Sequence, residues 1–295
     1  MMAAIPVFEE QTGGAAAAMV ASLAGFDTEE PVLAQLEGIA RTSPSRKLSV
    51  YAAGAGFELS EELEYLAWRA AEPNIFFNPR FMAPAMPRLE DREIRFMVMR
   101  DEADDRSRLR LLMPFSVERP GIGIGPEILR AWSSPFAPLG TPLVDRDDPV
   151  GVFEDMLDIL GRKHLKMPEI LVIPDIAARG PVASALRIAA IGRNLPVLAT
   201  GEKERAILKT GEEPDSYLKQ AVTPHHLRGY NRLLRRLGEL GEVTFGEWRE
   251  PGDIRRRTEE FLALESQGWK GRKGTAMTID RYRAAFTREA LFNLA

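Results

Sequence analysis

The chain has 295 residues, of which 45% are hydrophobic and 28% charged, with a formal net charge of −4; it is long enough for a sizeable core and two lobes, and ordinary for a globular protein. It contains no cysteine and three histidines, which excludes disulfides and thiolate metal sites and disfavours a multi-histidine centre, so no metal is expected. Residues 223 to 295 hold 14 Lys and Arg against 10 Asp and Glu, leaving 25 against 33 in the rest, so an anionic ligand would favour the C-terminal part.

The Ala-rich run from Ala15 to Ala24 is short and follows Glu9 and Glu10 instead of a basic segment, which argues against a secretory signal. No stretch approaches the roughly 20 apolar residues of a membrane span, and the expected location is the cytoplasm. Residues 1–45 read as an N-terminal extension, partly flexible, with a short helix at Glu30 to Ala40. Leu48 to Phe57 reads as a short strand or as an approach to the helix that follows. Ser60 precedes Glu61, Glu62 and Glu64 and is expected to cap a helix reaching Ala71. Phe76, Phe77, Asn78 and Pro79 then read as a break with aromatic core packing.

Ile94 to Met99 and Leu109 to Val117 are strand-like runs on either side of the acidic turn Asp101 to Asp105, which predicts an antiparallel hairpin. Gly121 to Gly125 has the look of a phosphate fingerprint, but Pro126 follows it, and a turn between strands is expected. Ile128 to Trp132 is the next strand. Phe136 to Asp145 (FAPLGTPLVD) crosses to a helix at Pro149 to Lys163, with Arg162, Lys163 and His164 at its C-terminal end as the dipole favours. Glu169 to Ile173, Pro181 to Arg193 and Leu195 to Ala199 form a strand–helix–strand pattern, which predicts parallel pairing in a mixed sheet.

Thr223 and Pro224 are an N-cap and a first-turn proline. In the helix they open, Leu227, Tyr230, Leu234 and Leu237 share one face, while Arg228, Arg232 and Arg235 share the opposite one. Glu242 to Trp248 reads as a strand, Asp253 as the cap of a helix to Gln267, and Thr278 as the cap of a helix from Ile279 onward. Gly268 is expected to stop the earlier helix in the left-handed conformation. After it, Lys270, Arg272 and Lys273 alternate with Gly271 and Gly274, so three cations and several backbone N–H groups can converge on one anion beside Trp269.

Three segments together, Leu264 to Met277 (LESQGWKGRKGTAM), Leu227 to Phe245 (LRGYNRLLRRLGELGEVTF) and Phe136 to Asp145, resemble the BioF2-like, CelD-type acetyltransferases. These are relatives of the GNAT superfamily and of the Fem peptidoglycan aminoacyltransferases, and the likeness runs over roughly residues 60 to 295. The resemblance implies an α/β (α+β mixed sheet) fold with one GNAT-like lobe at 46–222, followed at 223–295 by a connecting helix and the strand–helix–helix start of a second lobe. It implies an N-acyltransferase carrying an acyl group from acetyl-CoA or another acyl-CoA to a small-molecule or sugar amine, in cell-envelope or exopolysaccharide (cellulose-type) biosynthesis. Trp269 and Lys270 would line the acceptor groove, with Arg272 and Lys273 holding a phosphate or carboxylate; no catalytic base is assigned.

The family's pyrophosphate loop, [QR]-x-x-G-x-[GA], has no counterpart here. Arg235 to Leu240 approaches it but ends on Leu within a helix, and Gly140-Thr141-Pro142 is too rigid to wrap a pyrophosphate. This chain alone is therefore expected not to turn over acyl-CoA. Two alternatives are an interaction or scaffold module without catalysis, and a Fem-like, tRNA-dependent aminoacyltransferase relative. Nucleic acid is disfavoured because no aromatic residues interleave the basic face; homo-oligomerisation is left open.

Overall fold

A computed structural model describes residues 8–11, 45–56, 58–102, 107–120, 123–206, 208, 211 and 213–295. The helix expected at Glu30 to Ala40 and most of the turn after Asp101 lie outside these residues. The chain divides into two compact units, one formed by Met1–Ala199 with Ile254–Ala295 and the other by Thr200–Asp253.

The first unit is built on a mixed sheet of seven strands among the described residues: β1 (Phe8–Gln11), β2 (Arg46–Ala52), β3 (Arg95–Asp101), β4 (Arg108–Glu118), β5 (Ile128–Ala131), β6 (Leu143–Val144) and β7 (Ile170–Val172). The order is β1-β2-β3-β4-β5-β7, with β6 paired antiparallel to β4. The expected hairpin is present as β3 and β4, in register from Arg95 opposite Phe115 to Asp101 opposite Arg108, with one irregularity after Met99. The sheet is antiparallel until its far end, where β7 runs parallel to β5, Ile128 facing Ile170 and Arg130 facing Val172. Phe8 to Gln11, read from sequence as part of an extension, pairs with β2.

Both faces of this sheet are covered, so its central strands β3 and β4 bury apolar side chains on both sides. Successive side chains of a strand point to opposite faces. Phe96 and Val98 thus join Leu63 and Leu66 of α1 (Ser60–Arg69), Met82 and Ala85 of α2 (Pro79–Leu89), Phe77 and Trp132 in one cluster. Met97 and Met99 instead join Val152, Phe153 and Met156 of α3 (Pro149–Leu160) and Val182 and Ala185 of α4 (Pro181–Gly192). Phe77 stacks on Trp132 with ring centres 6.0 Å apart, both enclosed, so the aromatic break after α1 is core, as expected.

Helix α2 contains Pro84 and Pro87 in its interior, where each removes a hydrogen bond. Burial of Met82, Ala85 and Met86, at about 1.5–3 kcal/mol for a large side chain, holds it helical. The chain after Ile254 returns to this unit: α7 (Pro251–Gln267), the short α8 (Trp269–Arg272) and α9 (Arg281–Leu294). Phe286 of α9 meets Phe81 of α2 edge to face at 5.3 Å, and Arg88 pairs with Glu289 at 2.6 Å.

Several local expectations are corrected. Leu195 to Ala199 forms no strand: Asn194 turns the chain at φ 55°, Pro196 has no N–H to donate, and Leu198 is 85% exposed. The parallel partner of β7 is β5 instead. Glu242 to Trp248 also has no strand pairing. A strand's N–H and C=O groups need a neighbour, and among the described residues Thr200–Asp253 contains none. Ser60 lies inside α1 behind Leu59, and α9 is capped by Asp280, not Thr278, its carboxylate accepting from the N–H groups of Tyr282 (2.7 Å) and Arg283 (3.0 Å).

The unit Thr200–Asp253 holds α5 (Pro214–Ala221) and α6 (Pro224–Gly238). Thr223 caps α6 by accepting from the His226 N–H, and Pro224 occupies its first turn, as the sequence requires. Neither helix has a buried residue.

Candidate functional site

The segment singled out by sequence is a closed, self-bonded turn. Gly268 is extended, at φ −79° and ψ −164°, and precedes α8; the left-handed residue is Gly274, at φ 67°. Glycine is required at position 271 because a Cβ there would overlap the Ser266 carbonyl. The N–H groups of Lys273, Gly274 and Thr275 donate to the carbonyls of Trp269, Gly271 and Lys270 at 3.0, 3.1 and 2.9 Å. The Met277 N–H donates to Glu265 Oε2 at 2.8 Å. These donors face inward to the chain's own acceptors.

Of the expected anion-binding cations, Lys270 is committed: its Nζ lies 2.7 Å from Glu265 Oε1, and that carboxylate is only 6% exposed. The Lys270 ammonium, with the Met277 N–H, holds the Glu265 carboxyl below the usual range. Lys273 lies over the Trp269 ring, 5.3 Å from its centre, and both side chains are exposed, as is Arg272. Trp269 and Lys273 therefore form an open surface and Arg272 is exposed, while Lys270 serves the turn.

A second constellation was not found from sequence. Arg46, 1% exposed at the start of β2, places Nε 3.1 Å from Asp101, Nη1 2.7 Å from Asp155 and Nη2 2.5 Å from Asp148. Beside it, Asp145 receives Arg69 at 3.3 Å and Arg108 at 2.5 Å, and Arg110 bonds Asp101 at 2.6 Å. Burial raises the Asp145 carboxyl, but the Asp147 N–H and the Arg69 and Arg108 guanidinium groups outweigh this and hold it low. Burial pushes Asp155 up, against the pull of Arg46. The partners of Arg46 lie 55 to 109 positions from it in sequence, so no spacing motif signals them. With Arg69 and Arg108 also bonding the Asp147 carboxylate at 2.6 and 2.9 Å, four arginines and five aspartates are engaged mutually, and the network locks β2, β3, β4 and the start of α3 together.

That lock bears on phosphate binding. A helix N-terminus favours anions through its unpaired N–H groups, but Asp148 fills the start of α3, accepting from the Gly151 N–H at 3.1 Å. At the start of α4, Glu72 Oε2 accepts from the Val182 N–H at 3.4 Å, with burial raising its carboxyl. The parallel pair β5 and β7 is bonded across three successive residue pairs, with no splayed opening. Close approach also seals the loop before β6: the Gly140 N–H donates to the Pro174 carbonyl at 3.0 Å, and a Cβ at Gly140 would collide with that oxygen.

Among the described residues no three His, Asp or Glu side chains are grouped to hold a metal ion, and no helix is long and apolar enough to cross a membrane. Comparison with protein-family models, with characterised proteins and with solved structures found no match for this chain.

Proposed function

We propose that the chain is a GNAT-like N-acyltransferase component whose sheet domain supports the acceptor side of the reaction rather than the acyl-CoA side. The observation that carries this reading is the order of elements. Strand, helix, helix, with which a GNAT lobe begins, is the order β2, α1, α2; antiparallel strands β3 to β5 follow, and then a parallel pair joined through α3. In such a transfer an amine nitrogen attacks the thioester carbonyl, the coenzyme A thiolate leaves, and the amine gives up a proton. The donor half needs a splayed pair of strands and a helix N-terminus open to pyrophosphate; here β5 and β7 are bonded together and the starts of α3 and α4 are filled by Asp148 and Glu72.

The acceptor is placed on the face made by Trp269, Lys273 and Arg272, with Lys270 holding the turn beneath it. An exposed indole offers a sugar ring an apolar wall, and the two cations suit a phosphate or carboxylate on the same molecule. In a saturation-transfer NMR experiment with glucosamine oligomers and glucosamine phosphate, the chain should bind, and Trp269→Ala should abolish the signal. Acetyl-CoA and longer acyl-CoAs should neither bind in calorimetry nor release thiol. Absence of amino-sugar binding would remove the acceptor assignment, and thiol release by this chain would place the donor site inside it.

A further inference from the structure

We infer that α6 is an interfacial helix that lies on an anionic lipid surface. This does not rest on the acyltransferase reading. Tyr230, Leu233, Leu234 and Leu237 of α6 are each between 47% and 57% exposed, and with Asn231 they line a shallow groove of about 390 Å³. At 100° per residue these four and Leu227 span one arc of about 120°. Arg228, Arg232, Arg235 and Arg236 occupy the opposite arc, and Pro224–Gly238 contains no Asp or Glu.

A 15-residue helix with no buried side chain is marginal in water, so its apolar stripe needs a cover. A second copy is a poor one. The stripe is about 22 Å long and 10 Å wide, roughly 220 Å², where a stable dimer buries about 800 Å² per partner. Nucleic acid would meet the arginines and leave the leucines in water. A bilayer interface satisfies both faces: the stripe, with Tyr230 at its middle, sinks about 5–10 Å into the headgroup and acyl boundary, and the arginine stems reach the phosphates. At 15 residues the helix is too short to span, and its polar arc holds it in the plane. Leu240 and Phe245, each 86% exposed on the segment after α6, supply further apolar side chains in the same unit. The unit's acids, including Glu239, Glu242, Glu247 and Glu250, all lie outside α6.

The test is flotation of the full chain with vesicles of equal phosphatidylglycerol and phosphatidylcholine, and with phosphatidylcholine alone, at low and high salt. Binding should be confined to the anionic vesicles and weaken with salt. Leu234→Asp with Leu237→Asp should reduce it at least tenfold without changing the melting temperature, since neither side chain is buried. Arg232→Gln with Arg235→Gln should cost about 30-fold, roughly 1 kcal/mol for each Arg near the surface. No binding to anionic vesicles overturns the inference. So does a dimer in sedimentation that Leu234→Asp dissociates, or salt-sensitive RNA binding that the aspartates leave intact.

Discussion

Replacing Arg46 with Met removes one charge from the centre of the sheet domain and leaves a side chain of similar reach. Three carboxylates, Asp101, Asp148 and Asp155, then face the space where the guanidinium stood at 2.5 to 3.1 Å. Breaking one partner out of a buried ion pair costs about 3–5 kcal/mol, because the remaining charge stays desolvated. Against a total stability of about 5–15 kcal/mol, and at about 2–4 °C per kcal/mol, the melting temperature should fall by about 6–20 °C. The loss should also depend on pH. Burial already pushes the Asp155 carboxyl above its ordinary value, and without Arg46 it rises further. A raised carboxyl contributes stability that is complete below its unfolded value and is lost as pH rises through the folded one. The deficit of Arg46→Met should therefore be larger at pH 8 than at pH 5, in urea unfolding followed by far-ultraviolet circular dichroism. A loss under about 1 kcal/mol, equal at both pH values, would refute the reasoning by showing that these carboxylates are solvated.

Asp145→Asn removes the buried one of the two carboxylates that Arg69 and Arg108 share, leaving the more exposed Asp147. Its carboxyl is held low, so its contribution is present above the ordinary aspartate value and is lost as pH falls; in urea unfolding the variant should be less stable at pH 7 by about 3 kcal/mol, and its stability should converge with the native one in acid. Gly140→Ala drives a Cβ into the Pro174 carbonyl and should cost about 1–3 kcal/mol, whereas Gly229→Ala, with nothing within 4 Å, should raise the helicity of α6. Glu265→Gln weakens the acceptor for Lys270 and the Met277 N–H; about 1–2 kcal/mol of local stability should disappear, read as faster hydrogen exchange at Met277. Unchanged exchange there would mean the turn is held by its backbone bonds alone.

Where the information is local, the sequence determines the structure. Thr223 and Pro224 start α6 because a hydroxyl acceptor and an absent N–H suit a helix N-terminus whatever surrounds it. The runs that become β3 and β4, and the Phe77 core contact, follow from apolar side chains long enough and close enough in sequence to collapse together.

Only the tertiary structure decided the rest. Leu195 to Ala199 and Glu242 to Trp248 have much the same strand character as Ile170 to Val172, yet only the last is a strand, because β5 supplies its hydrogen-bond partner. Lys270 reads in sequence as one of three free cations, but the glycine turn brings it back onto Glu265. Arg46 ends the polar run Arg41 to Arg46, and folding encloses it among aspartates drawn from β3, the start of α3 and the body of α3. Propensity and periodicity are properties of neighbours along the chain; pairing of strands and neutralisation of charge depend on neighbours in space, and those are assigned only when the sheet closes between its two layers of helices.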